Sequence, residues 1–487
     1  MAHGIGILLW SVAMTLLLVF PHRQPERFAI FATFGMCVAT AIFTVFHVRH
    51  SALKIHDRKT VERLIGLISL LTVVGIQIIP RSAGASEMMG IGFLLTGPLV
   101  AHAMLVSALL GPAASLFTLT ATSFLLGFSG TMSVELLTAS WLTGAVGAHA
   151  VNPLKQRSDL LRATTIQVVA CAIMACFATA NRVSTVGPVL ESAGWAAATA
   201  FGAASVFWLA IALVERAFGV ISDWSLLELC SPDHPLIRDL CLMAPGTYAH
   251  SVMVANLAEN AARTIGANPV QCRAMAYFHD VGKTMRPAYF IENQYGENLH
   301  DHMPPALSAQ VIAKHVIDGI ELAKKHKLPQ ILIDAIAQHH GTMLISFFYA
   351  RAIKQDKMLH DPEFEKLFRY AGTKPQTRET AILMLCDQIE AVSRTISSSS
   401  PEELEMAVMR IIENTRAEGQ LDESELTFKD VGLIQTSILR SLGALRHERI
   451  AYPELRSEYE SEEPTPDSDI ERHRDAASKK DYHPRRP

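Results

Sequence analysis

Histidines and aspartates that could bind a metal recur through the second half of the sequence. They are His250, the adjacent pair His279 and Asp280, His315, the doublet His339 and His340, and Asp387. Neutral imidazole and carboxylate are the ligands preferred by borderline or hard divalent metals such as iron and manganese. These residue types therefore predict a divalent metal site and exclude one built from sulfur alone.

The number of these side chains suits two cations better than one. Five histidines and two aspartates are too many ligands for a single ion. Adjacent residues on a helix point about 100° apart, so His279 and Asp280 can face neighbouring metals, with the Asp280 carboxylate bridging them. Two ions roughly 3.5–4 Å apart can clamp the attacking and the leaving oxygen of a phosphoryl displacement. Two divalent ions and two carboxylates leave a positive site, which matches an anionic phosphodiester.

A lysine and a polar loop follow the His-Asp pair. Lys283, four residues after His279, is expected on a loop beyond the metals. There its ammonium could hold a phosphate oxygen and stabilise charge in the transition state, so we predict a catalytic role for Lys283 beside Asp280. The alternative is a solvated loop lysine. The later stretch 300–302, His-Asp-His, could line a substrate cleft.

Helix signals surround all of these residues. Thr247 can cap a helix that carries His250 and ends at Gly266, and Asn268-Pro269 begins the next helix, which runs to about His279. Further helices are predicted over 304–325, 329–340 and 378–396, followed by a final pair between 400 and 447. Because no convincing strand appears, the second half is predicted to be all-α.

The first half of the chain is overwhelmingly apolar, and most of the charge lies after Glu215. A membrane-spanning helix needs about 20 apolar residues. Eight stretches come close to that length, at 5–20, 28–48, 64–79, 89–109, 113–128, 134–151, 163–180 and 195–214. Gly111-Pro112 leaves no real loop between two of them. We therefore predict seven or eight transmembrane helices and, as a partner, the lipid bilayer.

Basic residues predict how the chain is oriented in the membrane. They concentrate in the loops 49–63 and 152–162, and such loops usually lie in the cytoplasm. That orientation places everything after Glu215 inside the cell. Three domains follow: a transmembrane domain over 1–214, a cytoplasmic domain over 215–453, and a disordered charged tail over 454–487, which has too few apolar residues to fold.

Overall charge and cysteine content exclude two other classes of protein. The formal net charge is −4, so no bulk basic field suggests binding to a nucleic-acid polymer. The seven cysteines are odd in number and irregularly spaced, which argues against a disulfide framework or a zinc ribbon.

The run 279–283, His-Asp-Val-Gly-Lys, resembles the HDxGK motif of the HD superfamily of metal-dependent phosphohydrolases. Longer stretches are similar to the PgpH-type seven-transmembrane HD proteins, namely 226–229, 231–236, 244–251, 286–294, 336–342 and 419–423. The resemblance is strong over about 225–454 and extends to the preceding spans by general plan. Members usually carry a large extracytoplasmic domain after the first span. Here residues 21–27 separate the first two spans, so no such insert is expected.

This resemblance implies a membrane-bound phosphodiesterase that hydrolyses the bacterial second messenger cyclic di-AMP to pApA, with two manganese or iron ions, at the bacterial inner membrane. It implies that His250, His279, Asp280 and Asp387 bind one metal, while Asp280, His315, His339 and His340 bind the other. A metal-bridging hydroxide would attack the phosphorus, and the ribose 3′-oxygen would leave. Every ligand position of the pattern is filled, which favours an active enzyme.

Two alternatives stay open at this point. One is an HD phosphodiesterase for another cyclic dinucleotide such as cyclic di-GMP, although the HD-GYP type should show Gly-Tyr-Pro soon after its His-His pair, where this chain has Gly341-Thr342-Met343. The other is a non-catalytic membrane receptor that only binds a nucleotide. No residue in the sequence identifies the base of the substrate or the oligomeric state.

Overall fold

The computed structural model describes residues 2–19, 27–50, 58–78, 93–152, 154, 156–180, 182–294, 296–356, 362–396 and 401–445. Within these ranges the chain is helical, with one isolated antiparallel bridge between Leu344 and Arg369. The all-α fold predicted from the sequence is confirmed for this part of the chain. The charged tail at 454–487 lies outside the described residues.

Eight of the described helices lie in the apolar half. They are α1 (Ala2–Val19), α2 (Arg27–His50), α3 (Arg58–Ile78), α4 (Gly97–Leu110), α5 (Pro112–Phe128), α6 (Val134–Ala150), α7 (Arg157–Ala180) and α8 (Val186–Phe218). Each overlaps one of the eight predicted stretches. Helices α2, α3, α7 and α8 are long and apolar enough to cross a membrane, and α1, α4 and α5 are shorter apolar helices. The chain is therefore a membrane protein, while the exact number of spans stays a prediction.

A single glycine separates α4 from α5. Gly111 has φ 95° and ψ 163°, which side chains with a Cβ rarely adopt. Pro112 then begins α5, where its missing N–H is not needed. The Gly-Pro pair predicted that no loop separates these two helices, and the structure agrees.

The second half contains the remaining described helices. They are α9 (Asp223–Leu229), α10 (Pro235–Met243), α11 (Pro245–Ile265), α12 (Pro269–Phe278), α13 (Pro305–Lys325), α14 (Gln330–Gln338), α15 (Ser346–Asp356), α16 (Pro362–Lys366), α17 (Arg378–Ser393), α18 (Pro401–Ala417) and α19 (Phe428–Leu445). Short 3-10 turns lie between α12 and α13, at Val281–Met285, Pro287–Tyr289, Ile291–Asn293 and Leu299–His302.

Local sequence explains where several of these helices begin and end. The Asn268 side chain caps α12 by accepting hydrogen bonds from the backbone N–H groups of Val270 and Gln271. The sequence Asn268-Pro269 predicted this helix start. Gly266 ends α11 in the left-handed conformation. The predicted cap at Thr247 is wrong: α11 already begins at Pro245, and the Thr247 hydroxyl donates instead to Glu292 Oε1 at 2.9 Å.

Hydrogen bonds connect the last membrane helix to the helices of the second half. In the last turn of α8, Glu215 accepts hydrogen bonds from the Ser222 N–H at 2.7 Å and the Ser225 hydroxyl at 2.8 Å, both beyond the end of the helix. Asp223, the first residue of α9, accepts one from the Asn268 amide at 2.9 Å. The α12 cap is thus tied to the chain segment that leaves the membrane half.

The core of the second half is formed by α11, α12, α14 and α17. Leu257, Phe278, Leu332 and Leu383, one from each helix, have at most 1% of their surface exposed. Each of these four helices also positions predicted metal ligands, which lie either within the helix or in the turn that follows it. Packing of the core therefore determines where the ligands lie.

Candidate metal centre

The structure brings all seven predicted metal ligands together. His250 lies on α11, His279 and Asp280 follow α12, His315 lies on α13, His339 and His340 follow α14, and Asp387 lies on α17. All are buried except His340, whose side chain is 20% exposed. Two groups have ligand atoms within 4.8 Å of one another: His250, His279 and Asp387 form one, and His315, His339 and His340 form the other.

Asp280 lies between the two groups. Its Oδ1 is 3.4 Å from His315 Nε2 and 3.8 Å from His339 Nε2. Its Oδ2 is 3.2 Å from His279 Nε2 and 3.8 Å from His250 Nε2. One carboxylate oxygen therefore faces each group, which is the arrangement that a bridging ligand requires.

A glycine allows Asp280 to approach α13. A Cβ on Gly282 would lie 1.9 Å from the carbonyl oxygen of His315 and 2.5 Å from the backbone nitrogen of Gly319. No side chain fits at that distance. Glycine in the His-Asp-Val-Gly-Lys run therefore lets the backbone beside Asp280 contact the helix that carries His315.

Three of the histidine rings are oriented by backbone carbonyls. The Nδ1 atoms of His279, His315 and His339 lie 2.7–2.8 Å from carbonyl oxygens three residues earlier, those of Ala276, Ile312 and Ile336. A carbonyl oxygen only accepts hydrogen bonds, so each Nδ1 carries the proton. In the neutral ring the Nε2 lone pair then points into the centre, as in histidines that bind metals.

Two buried atoms of the centre, His279 Nε2 and Asp280 Oδ1, have no hydrogen-bond partner among the described residues. The Nε2 atoms of His315 and His339 are 3.2 Å apart, and burial lowers the pKa of both rings, so both are neutral and both atoms are acceptors. Facing lone pairs and an unpartnered buried carboxylate oxygen are costly unless a cation lies between them. The residues present therefore fit divalent cations.

His250 is oriented by a carboxylate instead of a carbonyl. Its Nδ1 lies 2.5 Å from Glu390 Oε2, and its Nε2 lies 2.9 Å from Asp387 Oδ1. Glu390 is 3% exposed and is held on its other oxygen by Arg394 at 2.7 Å. A carboxylate on the far side of a ligand histidine fixes the ring and raises the basicity of its other nitrogen.

His340 is held by an aromatic side chain. The ring of Tyr370 stacks on it, with centroids 4.2 Å apart and planes inclined by 21°. The backbone N–H of Tyr370 donates to Met343 O at 3.0 Å, which ties the tyrosine to the turn after the His-His doublet. The least buried of the seven side chains is thus the one packed against a tyrosine.

Lys283 does not lie on an open loop. It belongs to the 3-10 turn Val281–Met285, and its Nζ lies 2.8 Å from Asp280 Oδ2 and 2.9 Å from Glu292 Oε1. Burial opposes its charge, but these two carboxylates raise the pKa of the ammonium above its usual value. Burial would likewise raise the pKa of Asp280, whereas His279 and Lys283 lower it well below the ordinary value. A cation therefore sits at the edge of the centre, against its central carboxylate.

The stretch 300–302 lies away from the two ligand groups. His300 is buried, with its Nε2 2.9 Å from Tyr289 O and its ring packed against Phe348. His302 is exposed and pairs with Glu297. Neither belongs to the groups that could hold a metal.

Sequence reasoning missed the roles of Glu390, Glu292 and Tyr370. Glu390 lies three residues after Asp387, so it follows on the same face of α17, and that spacing is a usable signal. Glu292 lies in a short 3-10 turn and Tyr370 in an irregular segment. Their partners lie in other elements, so no periodic pattern indicated them.

Two family models match the chain in succession. The model described as "7TM receptor with intracellular HD hydrolase" matches residues 27–222, and the model of the HD domain matches residues 247–392. The second match contains all seven predicted metal ligands.

The curated relatives include two phosphodiesterases. The cyclic-di-AMP phosphodiesterase PgpH of Bacillus subtilis is 44% identical over 241 residues, which are 49% of this chain and 33% of that protein. The protein of the same name from Listeria monocytogenes is 38% identical over 266 residues, 54% of this chain and 36% of that protein. The chain thus spans about a third of the length of these relatives.

Among solved structures, the HD domain of L. monocytogenes phosphodiesterase PgpH in complex with cyclic-di-AMP is 39% identical to this chain. The match covers 44% of this chain and 100% of that one, with a TM-score of 0.42. The resemblance seen in the motifs is confirmed by the identities to the two curated relatives and by the order of the two family matches. The chain belongs to the PgpH-type family of seven-transmembrane proteins with an HD hydrolase domain.

Proposed function

We propose that this protein hydrolyses cyclic di-AMP to pApA at a two-metal site in its HD domain. The observation that carries the proposal is the placement of Asp280, with one oxygen toward each of two groups of three ligand side chains. The choice of cyclic di-AMP is supported by the names of the relatives from B. subtilis and L. monocytogenes.

The donor set suits two manganese or iron ions. One ion would be held by His250, His279 and Asp387, the other by His315, His339 and His340, and Asp280 would belong to both. When bound, such ions supply positive charge for the phosphodiester and acidify water at neutral pH.

The protein's own groups hold this site in place and complete its charge. Carbonyl oxygens fix three imidazole rings, and Glu390 fixes the fourth, that of His250. Lys283 is a charged donor beside Asp280, placed to meet an anionic oxygen of the substrate that approaches this edge. Glu292, which binds both Lys283 and Thr247, keeps that ammonium in position.

We further propose three domains, at 1–214, 215–453 and 454–487, with the HD domain in the cytoplasm and the membrane half in the bacterial inner membrane. Basic residues in the loops 49–63 and 152–162 support that orientation. Cys241, the exposed cysteine of α10, provides a test. A membrane-impermeant maleimide should label a variant whose only cysteine is Cys241 in lysed cells and not in intact ones. Equal labelling of intact cells would place the HD domain outside.

Product analysis tests the reaction itself. The purified full chain with manganese should convert cyclic di-AMP to pApA, and cyclic di-GMP should be hydrolysed more slowly. The Asp280→Ala variant serves as the inactive control. Asp334→Asn, a half-buried residue of α14 that is hydrogen-bonded to Gln330, serves as the matched active control. Faster hydrolysis of cyclic di-GMP would reassign the substrate. Binding of either nucleotide without turnover would indicate a receptor instead of an enzyme.

A further inference from the structure

The run 419–423, Gly-Gln-Leu-Asp-Glu, resembles the family but contains none of the seven predicted metal ligands. It forms turns between α18 and α19, and its first residue, Gly419, has φ 65°, which favours glycine. The next residue, Gln420, is only 1% exposed although its side chain is polar. A buried amide needs hydrogen-bond partners, and those of Gln420 lie 78 residues earlier in the chain.

Both partners of Gln420 are groups of Thr342, two residues after His340. Gln420 Oε1 accepts from the Thr342 N–H at 3.1 Å, and its Nε2 donates to the Thr342 hydroxyl at 2.9 Å. The Thr342 carbonyl oxygen accepts from Arg369 at 2.9 Å. Arg369 in turn donates to Glu418, just before the run, at 2.9 Å. Side chains from distant segments therefore bind the N–H, the carbonyl and the hydroxyl of Thr342.

Gly341, between His340 and Thr342, lets Gln420 approach this turn. Its φ is 52°, and a Cβ at this position would lie 2.3 Å from Gln420 Oε1. A side chain at 341 would displace the amide. The turn after the His-His doublet is thus shaped to receive Gln420.

The same run also reaches the other side of the doublet. Gln338, the last residue of α14 and the one before His339, accepts a hydrogen bond from the Gln376 N–H at 2.9 Å. The Gln376 amide donates to Glu423 Oε2 at 2.5 Å. The run therefore contacts the residues that flank the doublet, directly at Thr342 and through Gln376 at Gln338.

We propose that Gln420 is a positioning residue for His339 and His340, and that it sets how tightly their metal ion is bound. This inference rests on the proposed two-metal function. The doublet follows the last residue of α14, so the helix alone does not fix its backbone, and Gln420 restrains the turn on its far side. His250 is held separately by Glu390, so the ion of the His250 group should depend much less on Gln420.

Manganese titration of the metal-free full chain, followed by electron paramagnetic resonance, tests this role. Two bound ions that share Asp280 are magnetically coupled, and their spectrum differs from that of an isolated ion. Gln420→Leu leaves the Thr342 N–H without its acceptor. Groups that orient a metal ligand typically contribute roughly 10–100-fold to affinity, so the ion of the doublet should bind at least about tenfold more weakly. At a manganese concentration just sufficient to fill both sites of the native chain, this variant should lose the coupled spectrum.

Ser424→Ala is the matched control. It removes another buried hydrogen bond beside the same run, that of the Ser424 hydroxyl with Leu421 O at 2.6 Å. This variant should bind both ions and keep the coupled spectrum. Circular dichroism and the melting temperature without metal check that each variant is folded. If Gln420→Leu melts earlier but binds both ions with native affinity, Gln420 only stabilises the fold and the inference is wrong.

A milder change is available at the partner residue, should Gln420→Leu not fold. Thr342→Val leaves Gln420 Nε2 without its acceptor, whereas Thr342→Ser keeps both hydrogen bonds. Thr342→Val should weaken the ion of the doublet, and Thr342→Ser should bind manganese as the native chain does. Equal affinities in these two variants would contradict the inference.

Combination with Glu390→Gln identifies the ion that Gln420→Leu retains. That ion should be weakened by Glu390→Gln, because the His250 group holds it; an unaffected ion would overturn the inference. A native chain that binds a single ion would overturn both this inference and the two-metal function. Two ions in the native chain, with unchanged affinities in Gln420→Leu, would overturn the inference alone.

Discussion

His315 Nε2 and His339 Nε2 lie 3.2 Å apart, although each ring already donates its Nδ1 proton to a backbone carbonyl. Two neutral acceptors at that distance repel each other in a site with almost no solvent. The packing of α13 against the end of α14 therefore imposes a contact that a shared cation would relieve.

Chelation should consequently destabilise the protein. A cation that binds only the folded state and is present at 100 times its dissociation constant stabilises that state by about 2.7 kcal/mol. For an HD domain of this size, that corresponds to a fall in the melting temperature of about 5 °C or more on metal removal. Differential scanning calorimetry of the full chain with and without chelator measures the change. The Asp280→Ala variant should show a much smaller difference, and a native chain indifferent to chelator would contradict this account.

Replacing Asp280 by Ala should abolish hydrolysis while helix content stays nearly unchanged. The Asp280 carboxylate directs one oxygen to each set of ligands, so its removal should lower the rate by more than the 10–100-fold typical of groups that only orient a ligand. Turnover of cyclic di-AMP is the measurement, with Asp334→Asn as the control for surface charge. Hydrolysis retained within a few-fold of the native rate would refute the bridging role.

Glu390→Gln should weaken metal binding by roughly 10–100-fold while the protein remains folded. The amide keeps the shape of the side chain but removes the charge that orients His250 across 2.5 Å. Metal affinity is measured by titration of the metal-free chain. Glu413→Gln, which removes an exposed carboxylate paired with Arg416, is the matched control and should bind metal normally. Normal affinity in Glu390→Gln would show that His250 needs no such support.

Metal binding should release protons at pH 8. Without a cation, burial opposes protonation of His279, but Asp280 and Asp387 raise the pKa of its ring to about 10. The ring is then protonated at pH 8 and must lose that proton to offer its Nε2 lone pair. Metal affinity should accordingly rise with pH up to about 10 and fall as the pH is lowered.

Calorimetric titration in two buffers with different ionisation enthalpies measures this release. At least about one proton per loaded protein is expected at pH 8, and an exposed His302→Gln variant should release the same number. A heat of binding independent of the buffer would show that His279 is neutral before the metal binds.

Much of the helical framework was predictable, because its signals are local. Helices begin at Asn268-Pro269 and Pro304-Pro305, and one ends at Gly266, as the sequence predicted. Each of these residues acts within its own turn. Two predicted ends were late: α14 stops at Gln338 instead of His340, and α17 stops at Ser393 instead of 396. The His-His doublet thus lies in the turn that follows its helix.

The convergence of the seven ligands was also predictable, since residue type and motif spacing indicated a common site. What was not predictable is which groups support them. His250 and Glu390 are 140 residues apart, and Lys283 meets Glu292 only because three short 3-10 turns fold back on Thr247. Such contacts depend on packing of the whole domain, and a lysine after a His-Asp pair looks solvent-exposed until that packing is known.

Anomalous diffraction from crystals of the full chain loaded with manganese tests the central claim most directly. We predict two peaks roughly 3.5–4 Å apart, one against His250, His279 and Asp387, the other against His315, His339 and His340, with an Asp280 oxygen on each. A single peak, or peaks elsewhere, would contradict a two-metal centre built around Asp280.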